Sequence, residues 1–348
     1  MTFPSDASPA DQPVMLQPGK LPGPLLARLL ETYRTPHDPS VVVTTGYGRD
    51  AAAIGIGHET LVVKSDPITF ATDRAANYLV AVNANDIACL GGIPRWMTVV
   101  ALLPEGKTSE TSVEELFRDL MEACTAQGIS IVGGHTEVTL GIDRPLLIGT
   151  LIGTAGEHGV LVPGQANAGD DLYLTRWAGI EGTALLAREL TDALTTALGA
   201  KTVSAAAKLL RSPGISVVPD ATALRRAAGI TAMHDPTEGG VATAIHELAE
   251  SAGLGAEVVA NAIPLLPETR AIAEHFGLDP FGMLSSGALL LAADPESRHD
   301  IQKVARTHNI PISRIGMLTP ASQGCTLLEG SRALPLPRFD RDEVTHVL

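Results

Sequence analysis

Carboxylates in this 348-residue sequence recur where an apolar run begins or ends. Asp50 stands in Gly48-Arg49-Asp50-Ala51-Ala52, where a loop passes into an apolar stretch, and Asp66 closes the run Leu61-Val62-Val63-Lys64-Ser65. Asp86, after Asn85, interrupts a helical pattern that is otherwise apolar from Leu79 to Leu90. Asp235 lies in His234-Asp235-Pro236-Thr237-Glu238-Gly239-Gly240, just ahead of another helical pattern. Carboxylates at strand ends and helix starts can converge on Mg²⁺, which takes a few of them and fills its other positions with phosphate oxygens and water. A carboxylate on an apolar helix is costly to bury unless it is paired or metal-bound. Taken singly, each residue is better explained as structure: Asp235 or Thr237 as a helix N-cap, Asp66 as a turn residue, Asp86 as a polar group on a helix face.

A second group of candidates is Gly133-Gly134-His135-Thr136, which follows the apolar run Ile129–Val132. Paired glycines let backbone approach a ligand closely and permit positive φ, and they equally make a plain tight turn. His135 is open to three roles that spacing does not separate: ligand contact, metal ligand or structural histidine. The stretch from Ala101 to Thr108 nearly spells a P-loop, but its leading glycine is Ala101 and Pro104 removes an amide that should cradle phosphate. No His/Cys pair has zinc spacing, no GxSxG elbow occurs, and no general base is identifiable.

The elements that must position these residues are short. Val41–Thr44, Thr60–Val63, Thr98–Leu103, Ile129–Val132 and Leu146–Ile152 read as strands, being β-branched and flanked by Gly or Pro. Between them, Asn77–Leu90 and Ser112–Gln127 read as helices. In the second, Val113, Leu116, Phe117, Leu120, Met121 and Cys124 form a core stripe, and Ser112 with Glu115 is a capping-box pair. The small, polar stretch from Val162 to Asp170 reads as an interdomain connection, after which strands and helices alternate again. The expectation is a two-domain α+β (α/β-type) chain: a proline-rich mobile arm over 1–22, domains over 23–160 and 161–325, and a C-terminal tail over 326–348.

Composition agrees with that architecture and narrows the partners. Hydrophobic residues make up 45% against 3% aromatics, with 34 Gly and 24 Pro, which suits an α/β protein with many tight connections. A net charge of −14 disfavours nucleic acid and anionic membranes as partners. It still permits a nucleotide, because a divalent metal between carboxylates and a polyphosphate reverses the local sign. The three cysteines, Cys89, Cys124 and Cys325, form no CxxC pair and read as small hydrophobes. With no signal segment and no apolar run long enough to span a bilayer, the expected location is the cytoplasm.

In order along the chain come Gly48-x-Asp50-Ala51-Ala52, Ser65-Asp66 and Asn85-Asp86-Ile87-Ala88-x-x-Gly91-Gly92-Ile93-Pro94. Gly133-Gly134-His135-Thr136 and Asp235-Pro236-Thr237-x-Gly239-Gly240-Val241-Ala242-Thr243-Ala244 follow. This succession, from about Lys20 to about Thr319, resembles the aminoimidazole ribonucleotide synthetase superfamily. Met233–Ala244 and Gly277-Leu278-Asp279-Pro280 resemble its hydrogenase-maturation, HypE-like branch most. The resemblance implies two PurM-like domains and a homodimer whose N-terminal sheets pair into a barrel. It implies ATP and Mg²⁺ in a cleft at the subunit interface. By motif, Asp50, Asp66 and Asp86 match metal-binding positions, Asp235 an acidic position near the phosphates, and Gly133–Thr136 a nucleotide-contacting loop. Where this chain has His135, many relatives have Asp or Glu. Lys20, in Gly19-Lys20-Leu21-Pro22, is a further candidate that could fold over the phosphates from the arm.

Two departures follow. The sequence ends Asp342-Glu343-Val344-Thr345-His346-Val347-Leu348, and its last cysteine is Cys325, whereas the HypE branch carries a C-terminal cysteine that bears a carbamoyl group. No cysteine lies in the early glycine-bearing arm, as selenophosphate synthesis would need. The expected function is therefore ATP-dependent, ligase- or kinase-like chemistry that activates a carbonyl or amide oxygen of a small molecule. The alternative is a nucleotide-binding scaffold or maturation partner without turnover.

Overall fold

The β-branched runs of the first half assemble into one six-stranded sheet. The computed structural model describes residues 16, 21, 23–33, 36, 38–44, 46, 49, 51–68, 74–162 and 164–348. The sheet strands are β1 (Val41–Val43), β2 (Ala52–Ile56), β3 (Glu59–Ile68), β4 (Gly92–Pro104), β5 (Ser130–Thr139) and β6 (Leu146–Ala155). Their spatial order is β1-β2-β3-β6-β4-β5, with β4 and β5 parallel and the other pairs antiparallel. Helix α1 (Gly23–Thr32) precedes the sheet, and α2 (Ala75–Cys89) and α3 (Glu110–Ala126) are the crossovers within it.

Helix α2 is seated by glycine. Along β6 the buried positions are Leu147, Gly149, Leu151 and Gly153, one face of a strand with period two. A Cβ at Gly153 would sit 2.6 Å from the Ile87 Cγ2 of α2, so the missing side chain lets the helix lie close against the strand. Leu79, Val80, Ala84 and Ile87 are fully buried there.

The second domain is built on a seven-stranded sheet in the order β13-β12-β9-β11-β7-β10-β8. Its strands are β7 (Asp171–Thr175), β8 (Ile230–His234), β9 (Leu254–Val259), β10 (Leu290–Ala293), β11 (Ile312–Pro320), β12 (Cys325–Glu329) and β13 (Arg332–Pro335). Helices α4 (Ile180–Glu189), α5 (Thr191–Leu198), α6 (Ala200–Lys208), α7 (Val218–Leu224), α8 (Gly240–Ser251), α9 (Pro267–Phe276) and α10 (Arg298–Thr307) complete it.

Several expectations are corrected. The capping box of α3 is Ser109 with Ser112, not Ser112 with Glu115: Ser112 N–H donates to Ser109 Oγ at 3.2 Å and Ser109 N–H to Ser112 Oγ at 3.0 Å. A serine at the third helical position serves as well as Glu because its hydroxyl both donates and accepts. Of the supposed core stripe on α3, Leu120 and Cys124 are buried, but Phe117 and Met121 are more than half exposed. Asp66 is not a turn residue but lies inside β3. Residues 326–348 do not trail off. They carry most of β12 and all of β13, and then bury Leu336, Asp342 and Val344 against the second domain. Short strands without a strong alternating pattern leave little trace in sequence.

The domains share a core. Ala88 and Cys89 of the first pack with Leu161, Tyr173, Val217, Leu224 and Leu291 of the second. Asn85 of α2 clamps them: its Nδ2 donates to Ile215 O at 2.9 Å, and its Oδ1 accepts from Val217 N–H at 2.8 Å.

Candidate functional site

On β3, residues two apart share a face, so Val62, Lys64 and Asp66 all turn toward α2. Val62 is fully buried beneath it. At the edge of that contact Lys64 Nζ lies 2.7 Å from Asp86 Oδ2 and 3.1 Å from Asp66 Oδ2. Asp86 and Lys64 are largely buried, with side-chain exposures of 5% and 12%, while Asp66 is about one-third exposed at 32%. Asn83 braces the group: its Oδ1 accepts from Asp66 N–H at 3.1 Å while its Nδ2 donates to Leu79 O at 2.9 Å. Two of the expected carboxylates are thus brought together, around an ammonium.

Asp86 also lines a cleft between the domains. Ala51, Asp86 and Cys89 form part of one wall, and Thr231, Met233 and His234 part of the other, around about 470 Å³ of space that includes open solvent. Asp235 follows His234 at the end of β8 and is buried. Cys89, one helical turn after Asp86, points its Sγ at Asp235 Oδ1, 3.8 Å away. His234 Nε2 lies 2.9 Å from Glu247 Oε2 on α8. The N-cap role expected as an alternative for Asp235 or Thr237 falls away, because the N-cap of α8 is Gly239, with no side-chain cap.

Behind Asp235 lies a set of acids with no forecast in the sequence. Gly239 N–H donates to Asp342 Oδ2 at 2.9 Å, which ties the C-terminal segment to the start of α8. Burial pushes the Asp342 carboxyl up to about 7 against three backbone N–H donors. Burial also pushes Glu181 of α4 up to about 7; the Ser286 hydroxyl opposes this, and Asp342, Glu238 and Asp235 add to it. Gly240 has φ +64, and a Cβ there would run into the Phe281 carbonyl. The second glycine of the motif is therefore required by both conformation and space.

Gly133–Thr136 is not a loop but the middle of β5, the edge strand, where Ser130–Val138 are all exposed. The pairing of β4 with β5 shifts register between Met97 and Thr98, and Gly134, at φ +148, packs so close to β4 that a Cβ would meet the Val99 carbonyl. Glycines inside a strand mark such a bulge or close approach. His135 Nε2 pairs with Glu137 Oε2 at 3.0 Å on the solvent side. Strand β5 is three strands from β3, roughly 14 Å at ordinary strand spacing. Within one chain, the expected nucleotide-contacting residues are therefore separated from Asp66 and Asp86.

Lys20 and Asp50 lie outside the described residues, although Ala51, next to Asp50, lines the cleft. Among the described residues, no three or more His, Cys, Asp or Glu side chains surround one point as a metal ion needs. Asp66 and Asp86 offer the hard oxygen donors that suit Mg²⁺, but they converge on Lys64; the pair fits the ion once that ammonium has left. Lys64 was legible only as a strand residue two positions before Asp66. Cys89 had a weak signal as a thiol three residues after Asp86, and Glu181 and Asp342 had none. No disulfide links Cys89, Cys124 or Cys325, and burial pushes the Cys124 thiol up to about 11. No described helix is long and apolar enough to cross a membrane.

Comparison with known proteins gives this architecture its family. The profile of the AIR synthase related protein, N-terminal domain, matches residues 48–155, and that of the AIR synthase related protein, C-terminal domain, matches residues 167–325. A putative hydrogenase expression/formation protein of Methanocaldococcus jannaschii is 27% identical over 303 residues, covering 84% of this chain and 86% of its own. The carbamoyl dehydratase HypE of Escherichia coli is 29% identical over 256 residues, covering 72% and 70%. A crystal structure of the hydrogenase maturation protein HypE in complex with ATP superposes with a TM-score of 0.66 at 21% identity, covering 91% of this chain and 95% of that one. The chain belongs to the AIR synthase-related proteins and is similar to their HypE-like branch.

Proposed function

We propose that this protein is an ATP-utilising enzyme that transfers the terminal phosphoryl group to, or otherwise activates, a carbonyl or amide oxygen of a small molecule. The observation that carries this reading is the interdomain cleft, with Asp86 on one wall and Asp235 beyond the other, joined through Cys89. The ATP complex of the structurally similar HypE is consistent with a nucleotide in a fold of this kind. Mg²⁺ would neutralise charge developing on the β- and γ-phosphates. The chain's own contribution is to position: Asn85 and the shared core fix the two walls, and Leu90, Leu161 and Met233 give the cleft part of an apolar lining.

In this reading the working unit is a homodimer. Strand β5 exposes Ile131, Val132 and Val138, and Phe117 and Met121 of α3 are exposed as well. An open edge with apolar side chains invites pairing with another sheet. A second copy docked there would bring its Gly133–Thr136 to a cleft that lacks them within one chain. A nucleotide-binding maturation partner without turnover is the second reading, favoured by the engagement of Asp66 and Asp86 with Lys64 and by the likeness to a putative hydrogenase expression/formation protein.

Titration calorimetry with ATP, with and without Mg²⁺, tests the binding, and steady-state hydrolysis over a panel of carboxylate and amide acceptors separates the two readings. Binding with acceptor-dependent ADP release is expected. Absence of ATP binding at any Mg²⁺ concentration would overturn both.

A further inference from the structure

Asp171 and Tyr173 are two apart on β7 and share the sheet face that packs beneath α7 and α10. Asp171 is buried there, with a side-chain exposure of 1%. Its Oδ2 accepts from Arg298 Nε at 3.0 Å, Arg298 Nη2 at 2.6 Å and the Tyr173 hydroxyl at 3.2 Å. Its Oδ1 accepts from Arg314 Nε at 2.5 Å. Burial pushes the Asp171 carboxyl up, but the two guanidiniums outweigh it and hold it below its ordinary value. Local structure delivers both arginines. Arg298 is the first residue of α10, and the register of β11 against β7 shifts between Arg314 and Gly316. That bulge sets Arg314 opposite Tyr173 and Met317 opposite Asp171, so both turn to the same face.

The cluster holds one cation more than the buried carboxylate requires. A single guanidinium pairs such a charge; two leave a local positive excess on a chain that totals −14. Arg298 and Arg314 have side-chain exposures of 49% and 39%, so the fork edges turned away from Asp171 reach solvent. A guanidinium has five N–H donors. Asp171 and Tyr173 occupy part of the Arg298 set, and Asp171 takes one donor of Arg314. Asp170, Glu257, Glu296 and Asp300 neighbour the cluster in sequence or register. Among the described residues, though, neither arginine forms an ion pair with any acid but Asp171.

We propose that Arg298 and Arg314 form a binding site for a phosphate group, gripped by the two guanidinium forks that the buried Asp171 orients. A phosphate has enough oxygens to meet both forks at once and a second charge to match the second guanidinium, whereas a carboxylate fills one fork. Met317, 36% exposed and opposite Asp171, offers apolar surface to an organic group esterified to that phosphate. None of these residues lines the interdomain cleft, and the inference does not rest on the ATP-utilising reading.

Phenylglyoxal, which modifies arginine side chains, reports occupancy in the full wild-type chain, with labelled positions located by peptide mass spectrometry. Inorganic phosphate should slow labelling of Arg298 and Arg314 with one shared midpoint, by about tenfold at about ten times the midpoint concentration. The exposed Arg332 should label at an unchanged rate, and sodium chloride at matched ionic strength should protect neither site arginine. No protection by phosphate, equal protection of Arg332, or equal protection by chloride overturns the proposal. Phenyl phosphate separates the sources: a midpoint below that of inorganic phosphate names an organic phosphate as the ligand, and an equal or higher one names free phosphate. Succinate protecting at lower concentration than either overturns the choice of phosphate.

Arg314→Lys keeps a charge beside Asp171 but removes one fork. The phosphate midpoint for protecting Arg298 should then rise by about tenfold, the loss of charge-assisted hydrogen bonds. An unchanged midpoint overturns the two-fork site. If Arg314→Lys does not fold, protection in the wild type decides alone.

Discussion

Asp86 is a buried carboxylate whose charge is balanced within 2.7 Å by Lys64, and its replacement should act on stability and binding together. Asp86→Asn takes one carboxylate away from Lys64, and should lower apo stability by about 1–3 kcal/mol. It should also weaken Mg²⁺-dependent ATP binding by at least about tenfold, the loss of one charged contact. Thermal melts and calorimetry on the same samples check both; lower stability with unaltered ATP affinity would remove Asp86 from the binding site. Glu181 carries a pH dependence of known sign. Its folded value of about 7 exceeds the ordinary 4.5, so the folded state holds the proton more tightly than the unfolded chain. That contribution is complete below about 4.5 and is lost as pH rises through about 7. Glu181→Gln stays neutral, so its stability relative to wild type should climb by up to about 3 kcal/mol between pH 4.5 and 8. A flat difference in denaturant melts across that window would show that Glu181 ionises normally.

Among the elements, β5 and the start of α8 make the strongest demands. On the dimer reading, the double variant Val132→Lys and Val138→Lys puts charge on two exposed edge positions. Such positions tolerate substitution within about 0.5 kcal/mol when nothing covers them. The expected outcome is a monomer by light scattering that keeps its folded circular dichroism, with lost ATP binding; the melt falls only by what the dimer contact contributed. A monomer that still binds ATP tightly would show the cleft to be complete in one chain. At α8, Gly240→Ala forces a side chain into the Phe281 carbonyl at φ +64. Strain of both kinds should cost roughly 2–4 kcal/mol, read as a lower urea midpoint.

For the whole molecule, Asn85 is the joint between domains, bonded to the backbone on both sides of Ser216. Asn85→Ala leaves Ile215 O and Val217 N–H without that partner, so stability should fall by roughly 1–3 kcal/mol. The cleft depends on the same joint, and ATP affinity should drop further than global stability predicts. Equal melts for wild type and variant would show that the shared core alone holds the domains together.

The outline of the fold was readable because it is local. Runs such as Leu146–Ile152 alternate on one strand, and the carboxylates at Asp66, Asp86 and Asp235 stand next to strong periodic patterns whose element type needs no distant partner. The two-domain division and the family resemblance rest on the order of such motifs along the chain. Contacts between residues far apart in sequence were decided only in three dimensions. Lys64 and Asp86 meet because α2 lies close on a glycine-bearing strand; Asp342 reaches Gly239 from 103 residues away; and Phe117 and Met121 have the spacing of core residues yet face solvent. Periodicity says which residues share a face, but not whether anything covers that face. The glycine pair at Gly133 and Gly134 shows the same limit: a turn and a bulged strand use glycine for the same freedom of φ, and only the hydrogen bonds to β4 distinguish them.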